Sequence, residues 1–157
     1  MTGSPTATAE KKALELITFS LGDTLYGIDI NKVLGINKIL DITPVALAPD
    51  YIKGLLNLRG QIISIIDLGI KLGLLPSQTG KDGRIIIVSS NDEHIGLQVD
   101  QVFDVIVLAK NEMAPPPPNL GKVQGEFFEG VAKTETSLIG ILKIDVVLQM
   151  TVKSCAS

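Results

Sequence analysis

The chain has very few of the residues that carry covalent, metal or redox chemistry. Its 157 residues include one cysteine, Cys155, and one histidine, His94. A lone cysteine excludes an intrachain disulfide and a cysteine-based metal site, and a lone histidine excludes a site with several histidine ligands. A Ser-His-Asp triad would depend on His94 alone. We therefore predict no catalytic residues, no metal site and no cofactor.

Aromatic residues and net positive charge are also scarce. Aromatics make up 4% of the chain, tryptophan is absent and the formal net charge is -3. Nucleic-acid binding needs a basic face with aromatic side chains for stacking, so we predict no nucleic-acid partner. No apolar run approaches the ~18 residues of a membrane span. Residues 1–5 lack the basic and apolar regions of a signal peptide. The chain is therefore predicted to be cytoplasmic, without direct membrane insertion.

Isoleucine, leucine and valine are abundant and follow strand-like patterns. The hydrophobic fraction is 45%, which is enough for a substantial core. Alternation of apolar residues, or short apolar runs between turn signals, predicts the following strands: Leu16–Leu21, Tyr26–Ile30, Gln61–Leu68, Arg84–Val88, His94–Leu108, Gly130–Lys133 and Leu138–Leu142. Helical spacing predicts a short helix over Ile144–Met150.

The second half of the sequence resembles the first. When residues 15–36 are aligned with residues 84–105, an offset of 69, their apolar positions and a glycine coincide. Moved by 76 residues, residues 62–68 fall on residues 138–144 in the same way. We interpret this as an internal repeat of about five short strands. Two such units would share one aliphatic core and leave a groove for a partner between them.

This pattern predicts one domain with two parts. The domain covers residues 15–150, with a first subdomain at about 15–80 and a second at about 81–150. Residues 1–14 are predicted to be a disordered leader, and residues 151–157 a flexible tail.

Four polar residues have both a structural and a functional interpretation. Arg59 can tie its own loop or present its guanidinium group to a partner, and the sequence leaves both open. His94 is interpreted as a solvated histidine beside a turn rather than a proton shuttle. Asp67 is interpreted as a turn cap rather than an acid or base. Cys155 is interpreted as inert rather than as a nucleophile.

The most specific motif lies in Gly54–Leu68, GLLNLRGQIISIIDL, where NLRG stands at a fixed distance before IDL. It is accompanied by YGIDI at Tyr26–Ile30, by the prolines Pro115–Pro118 and by GVA at residues 130–132. With these motifs in this order, the chain resembles the chemotaxis coupling protein CheW family over about residues 16–150.

The resemblance implies an all-β fold of two pseudo-repeated five-stranded SH3-like barrels that share a hydrophobic core, with short helical turns and a C-terminal helix. It implies a non-enzymatic adaptor that couples the cytoplasmic tip of methyl-accepting chemoreceptors to the regulatory domain of the chemotaxis histidine kinase, in membrane-associated receptor arrays. One alternative is a coupling protein of a chemosensory-like pathway that controls pili or another output. An alternative of another class is a small SH3-like-barrel enzyme or nucleic-acid-binding module.

The resemblance also assigns site residues. Those assigned to receptor binding are Val33, Ile36, Gly54, Asn57, Leu58, Arg59 and Gly60. Those assigned to kinase binding, at the barrel ends, are Ile62, Met113 and Asn119. Gly35 stands where many members have glutamate, and Gly69 where many have arginine. The resemblance therefore leaves the receptor affinity and the receptor class open.

Overall fold

A computed structural model describes residues 13–39, 42–74, 80–90, 92–116, 118–120, 123–134 and 138–148. Its strands are β1 (Ala13–Leu21), β2 (Thr24–Asp29), β3 (Val33–Lys38), β4 (Ile52–Leu58), β5 (Gln61–Asp67), β6 (Arg84–Ser90), β7 (Glu93–Val99), β8 (Gln101–Ala109), β9 (Met113–Ala114), β10 (Asn119–Leu120), β11 (Val123–Gln124), β12 (Phe128–Lys133) and β13 (Leu138–Leu142). Helix α1 covers Leu68–Lys71, and residues 144–148 form helix α2. Short 3-10 turns lie at Ile30–Lys32, Lys110–Glu112 and Gly125–Phe127.

Two sheets carry the fold. Sheet A has six strands in the order β8-β1-β2-β13-β12-β9, and sheet B has five in the order β3-β6-β7-β5-β4. Each sheet contains one parallel pair, β2 with β13 in sheet A and β5 with β7 in sheet B. The other neighbours are antiparallel, and β10 pairs with β11 outside both sheets. The prediction of an all-β fold with short helical turns and a C-terminal helix is confirmed.

The segment predicted as one strand, His94–Leu108, is two strands. The chain leaves β7 at Asp100 and then enters β8 in the other sheet. The Asp100 carboxylate accepts a hydrogen bond of 2.8 Å from the backbone N–H of Gly22. The prediction was wrong because the apolar pattern continues across the crossing point, where both strands are still partly buried.

The internal repeat is confirmed in the register of the strands. The first five strands of sheet A are β8-β1-β2-β13-β12. Replacing each of them by its equivalent in the repeat gives β3-β6-β7-β5-β4, which is the order of sheet B. Leu56 pairs with Ile63 in sheet B, and Ala132 pairs with Ile139 at the equivalent place in sheet A. Strands β4 and β12 even have a register shift at the same position.

Neither sheet is built from one half of the sequence alone. The first hairpin, β1–β2, joins the last hairpin, β12–β13, while β6–β7 joins β4–β5. The predicted subdomains, residues 15–80 and 81–150, therefore do not coincide with the two sheets. The similarity between the halves shows which strands are equivalent. It does not show which sheet each hairpin joins, because either copy of a hairpin can pair with the same neighbour.

The outer faces of the two sheets meet in a shared hydrophobic core. Phe19, Tyr26 and Phe128 of sheet A pack in it as stacked rings, with centroids 5.9 and 6.1 Å from that of Tyr26. Ile86 and Leu97 of sheet B enter the same cluster and are fully buried. The predicted shared core is thus confirmed, and burial of these large side chains stabilises the fold.

Each sheet also curls around a small core of its own, on the face turned away from the shared one. In sheet A this inner core consists of Leu16, Leu108, Ala132, Ile139 and Ile141. In sheet B it consists of Leu56, Ile63, Ile65, Ile85 and Ile87. The inner face of sheet B is the one that carries the candidate site.

Candidate partner-binding groove

An open groove of about 390 Å³ lies at the inner face of sheet B. All five strands of the sheet contribute to it. Its lining consists of Leu34, Gly35, Ile36, Asn37, Leu58, Arg59, Gln61, Ile63, Ile87 and His94. Ile63 and Ile87 are buried and form an apolar floor, while Leu34 and Ile36 are 53% and 41% exposed at the wall. An apolar trough with a polar rim is suited to the face of an amphipathic helix.

The hairpin between β4 and β5 holds Arg59 at the rim of this groove. Arg59 and Gly60 form its two-residue turn, and both have positive φ, 54° and 82°. A type I′ turn requires this conformation at both central residues. The side-chain oxygen of Asn57 accepts a 3.1 Å hydrogen bond from the backbone N–H of Gly60 and fixes the turn. Arginine adopts this conformation at a cost of about 1–3 kcal/mol, since its Cβ is strained there.

The guanidinium group of Arg59 has no carboxylate partner within the described part of the chain. The ion pair found there joins Lys32 and Asp145, on another side of the molecule. Arg59 is exposed, and the described residues that line the groove include no acidic side chain. Of the two interpretations left open by the sequence, the geometry favours the one in which Arg59 faces a partner.

The structure brings together three of the residues assigned to receptor binding. Ile36, Leu58 and Arg59 all line the groove. Asn57 and Gly60 lie in the same hairpin but shape the turn instead of lining the groove. Asn57, Leu58, Arg59 and Gly60 are therefore consecutive residues of one hairpin, and Ile36 reaches the groove from β3, at the other edge of sheet B.

The other two assigned receptor residues lie inside the fold. Gly54 is buried, and a Cβ at this position would collide with the carbonyl oxygen of Thr43. The backbones of Thr43 and Leu55 exchange two hydrogen bonds there, of 2.9 and 2.8 Å. Val33 is half-buried and packs against the shared core. Gly54 and Val33 are therefore not among the residues that line this groove.

The residues assigned to kinase binding lie in three separate places. Ile62 is 59% exposed on the outer face of β5, where it pairs with Asn57. Met113 is half-buried in β9, at the edge of sheet A. Asn119 begins β10, outside both sheets.

His94 is the main lining residue that the sequence interpretation missed. It lies within β7, half-buried and paired with Ser89 of β6, and not in a solvated turn. Alternation along β7 was the signal that could have found it, because Gly96, two residues later, is buried on the inner face. Gln61 and Asn37 reach the groove by the same alternation in β5 and β3.

Asp67 has the structural role expected from the sequence. It is 1% exposed, and its Oδ1 accepts a 3.2 Å hydrogen bond from the backbone N–H of Ile70, at the N-terminus of α1. Cys155 lies outside the described residues. Within them, no group of three or more histidine, cysteine or acidic residues could hold a metal ion. No helix in the described ranges has the length and apolar character needed to cross a membrane.

Residues 15–152 match the family model of the CheW-like domain. The chain belongs to the CheW family. It is 34% identical to the chemotaxis protein CheW of Treponema pallidum over 134 residues, which cover 83% of this chain and 79% of that protein. It is 33% identical to CheW of Bacillus subtilis over 142 residues, which cover 90% and 91% of the two chains.

A solved CheW structure has the same architecture. The scaffolding protein TtCheW of Thermoanaerobacter tengcongensis superposes with a TM-score of 0.79 at 40% identity, over 85% of this chain and 86% of that one. The two sheets described above are therefore the two SH3-like barrels of a CheW fold. Together with the curated CheW relatives, this makes the chain a chemotaxis coupling adaptor.

Proposed function

We propose that the chain couples chemoreceptors to the chemotaxis histidine kinase without any catalysis of its own. In this proposal the cytoplasmic tip of a methyl-accepting chemoreceptor binds in the groove of sheet B. The kinase regulatory domain binds on the barrel ends, and the cytoplasmic adaptor is recruited in this way to membrane-associated receptor arrays. The main support is the position of Arg59, a cation without a carboxylate partner among the described residues, at the rim of an apolar groove.

The groove offers two kinds of contact to a receptor helix. Leu34 and the half-buried Leu58 offer apolar surface, and burying an apolar side chain fully contributes about 1.5–3 kcal/mol. Arg59 offers a planar donor group that can bind a carboxylate or a helix carbonyl through two parallel hydrogen bonds. The apolar contacts supply affinity, and the guanidinium group fixes the register of the helix.

Ile62 is the best supported of the proposed kinase contacts. Its side chain is 59% exposed and points away from the groove, so kinase and receptor could bind at the same time. Leu138, its equivalent in the repeat, is 37% exposed on sheet A. Met113 in β9 and Asn119 in β10 remain proposed kinase contacts.

The test is binding of the purified chain to two separate partners, a receptor-tip helical hairpin and the kinase regulatory domain. Arg59→Ala should weaken receptor binding by roughly 10- to 100-fold, the value of one or two hydrogen bonds to a charged group, and leave kinase binding unchanged. Ile62→Ser should do the reverse. Lys133→Ala is the matched control, because Lys133 is an exposed cation on sheet A, away from the groove.

Two results would contradict the proposal at different levels. If the unaltered chain bound neither partner, the coupling function itself would be wrong. If Arg59→Ala bound the receptor tip like the unaltered chain while melting normally, the function could stand but the groove would not be the receptor site.

A further inference from the structure

The ionisable side chains that line the groove are both basic. Arg59 and His94 line it, and the described lining residues include no aspartate or glutamate. Arg59 carries a permanent positive charge, and an imidazole is a hydrogen-bond donor that gains positive charge when protonated. The remaining polar side chains, Asn37 and Gln61, are uncharged.

Gly35 leaves space beside these groups. It lies in β3 opposite the buried Ile87, so a side chain at position 35 would point to the inner face of sheet B. A Cβ built there has Asn37 Oδ1 as its nearest neighbour, at 4.0 Å. Gly35 also has an ordinary φ, outside the left-handed region. A Cβ at this position would therefore fit, and the side chain that it carries would extend toward the groove.

We infer that the groove selects a receptor helix that presents a carboxylate, which is bound by Arg59 and His94 in the space left by Gly35. This inference rests on the proposed receptor-binding function and specifies the chemistry of the partner. A carboxylate satisfies a guanidinium group through paired hydrogen bonds, and these strengthen where apolar walls exclude water. A helix with lysine at the same place would bring a second cation beside Arg59, and like charges in contact oppose binding.

The test introduces a carboxylate into the groove by a substitution in this chain. Gly35→Glu supplies an internal partner for Arg59 and repels an acidic receptor residue. Gly35→Gln has nearly the same size and shape without the charge, so it is the matched control. The probe is a purified receptor-tip hairpin, together with variants in which its individual Glu and Asp residues are replaced by Lys.

Gly35→Glu should weaken binding of the unaltered hairpin at least 10-fold, whereas Gly35→Gln should change it less than about 3-fold. One hairpin variant, with a Glu or Asp replaced by Lys, should bind the unaltered chain poorly. The same hairpin variant should bind the Gly35→Glu chain better. His94→Gln should weaken binding of the unaltered hairpin several-fold.

The opposite results are equally clear. Equal loss in Gly35→Glu and Gly35→Gln would show that position 35 acts by size, which overturns selection by charge. Normal binding by both variants would also overturn it and would place the receptor site elsewhere. Unchanged binding by His94→Gln would remove His94 from the proposed site. Failure of every hairpin to bind the unaltered chain would instead refute the proposed function on which the inference rests.

Discussion

Two equivalent glycines of the repeat should respond differently to the same substitution. Gly27 in β2 and Gly96 in β7 occupy equivalent positions and are both buried. A Cβ at Gly96 would lie 2.6 Å from Ile65 Cδ1 and 2.7 Å from Ile85 Cγ2. At Gly27 the nearest atoms, which include Leu16 Cβ, lie at 3.4 Å. We therefore expect Gly96→Ala to destabilise the fold and Gly27→Ala to be tolerated.

Of the two close atoms, Ile65 Cδ1 is the flexible end of its side chain, whereas Ile85 Cγ2 is held next to the backbone. Ile85 and Leu16 are equivalent, but isoleucine carries a methyl group on its Cβ, and this methyl fills the space over Gly96. A β-branched side chain has little rotamer freedom, so it cannot move aside at low cost. Overpacking a core costs about 1–3 kcal/mol. Removing a glycine recovers about 0.4–1 kcal/mol through the unfolded state.

Gly96→Ala should therefore lower the free energy of unfolding by about 1–2 kcal/mol. Gly27→Ala should leave it within about 1 kcal/mol of the unaltered value. In thermal unfolding followed by circular dichroism, each kcal/mol corresponds to about 2–4 °C for a chain of this length. Ile85→Leu should partly rescue Gly96→Ala, because it removes the obstructing methyl group. Equal melting of the two alanine variants would refute the packing argument.

Two further predictions concern buried polar groups. Asp67→Ala removes the cap of α1 and should lower the free energy of unfolding in urea by about 1–2 kcal/mol. Asp67→Asn keeps a cap acceptor and should lower it clearly less. An unchanged urea midpoint for Asp67→Ala would contradict the capping role. Burial raises the pKa of the Tyr26 hydroxyl above its ordinary value of 10, although a hydrogen bond with Thr24 opposes the shift. Above pH 10 the unfolded chain therefore loses this proton more readily than the folded one, so stability should fall as the pH rises, and Tyr26→Phe should flatten that part of the stability profile measured by urea titration. An identical slope in Tyr26→Phe would show that other groups cause the alkaline loss.

Much of the fold could be predicted from local pattern. β1 and β2 were predictable because apolar residues alternate on both sides of a short turn, although consecutive residues of both strands are buried. β4 was not predicted as a strand, because the register shift at Ile52 and Gly54 breaks its alternation. The exchange of hairpins between the sheets was not predictable either, since equivalent strands offer equivalent apolar faces to both partners.

The candidate site was partly predictable for a similar reason. Arg59 stands out because a charged residue between two glycines in an apolar region needs an explanation. His94 was missed because it follows a polar turn in sequence, although the strand carries it to the inner face of sheet B. Which side chains share a groove depends on strand order, and the sequence does not state strand order.

The exchanged hairpins have a consequence for synthesis of the chain. β2 is the parallel neighbour of β13, which emerges from the ribosome roughly a hundred residues later, after about 5–20 s at ordinary rates of translation. During that interval the nascent N-terminal hairpin lacks its final neighbour, and its apolar face has to be shielded by collapse or by a chaperone. Expression of either half by itself should consequently give an aggregating fragment, whereas mixing both halves offers each hairpin the neighbour it lacks.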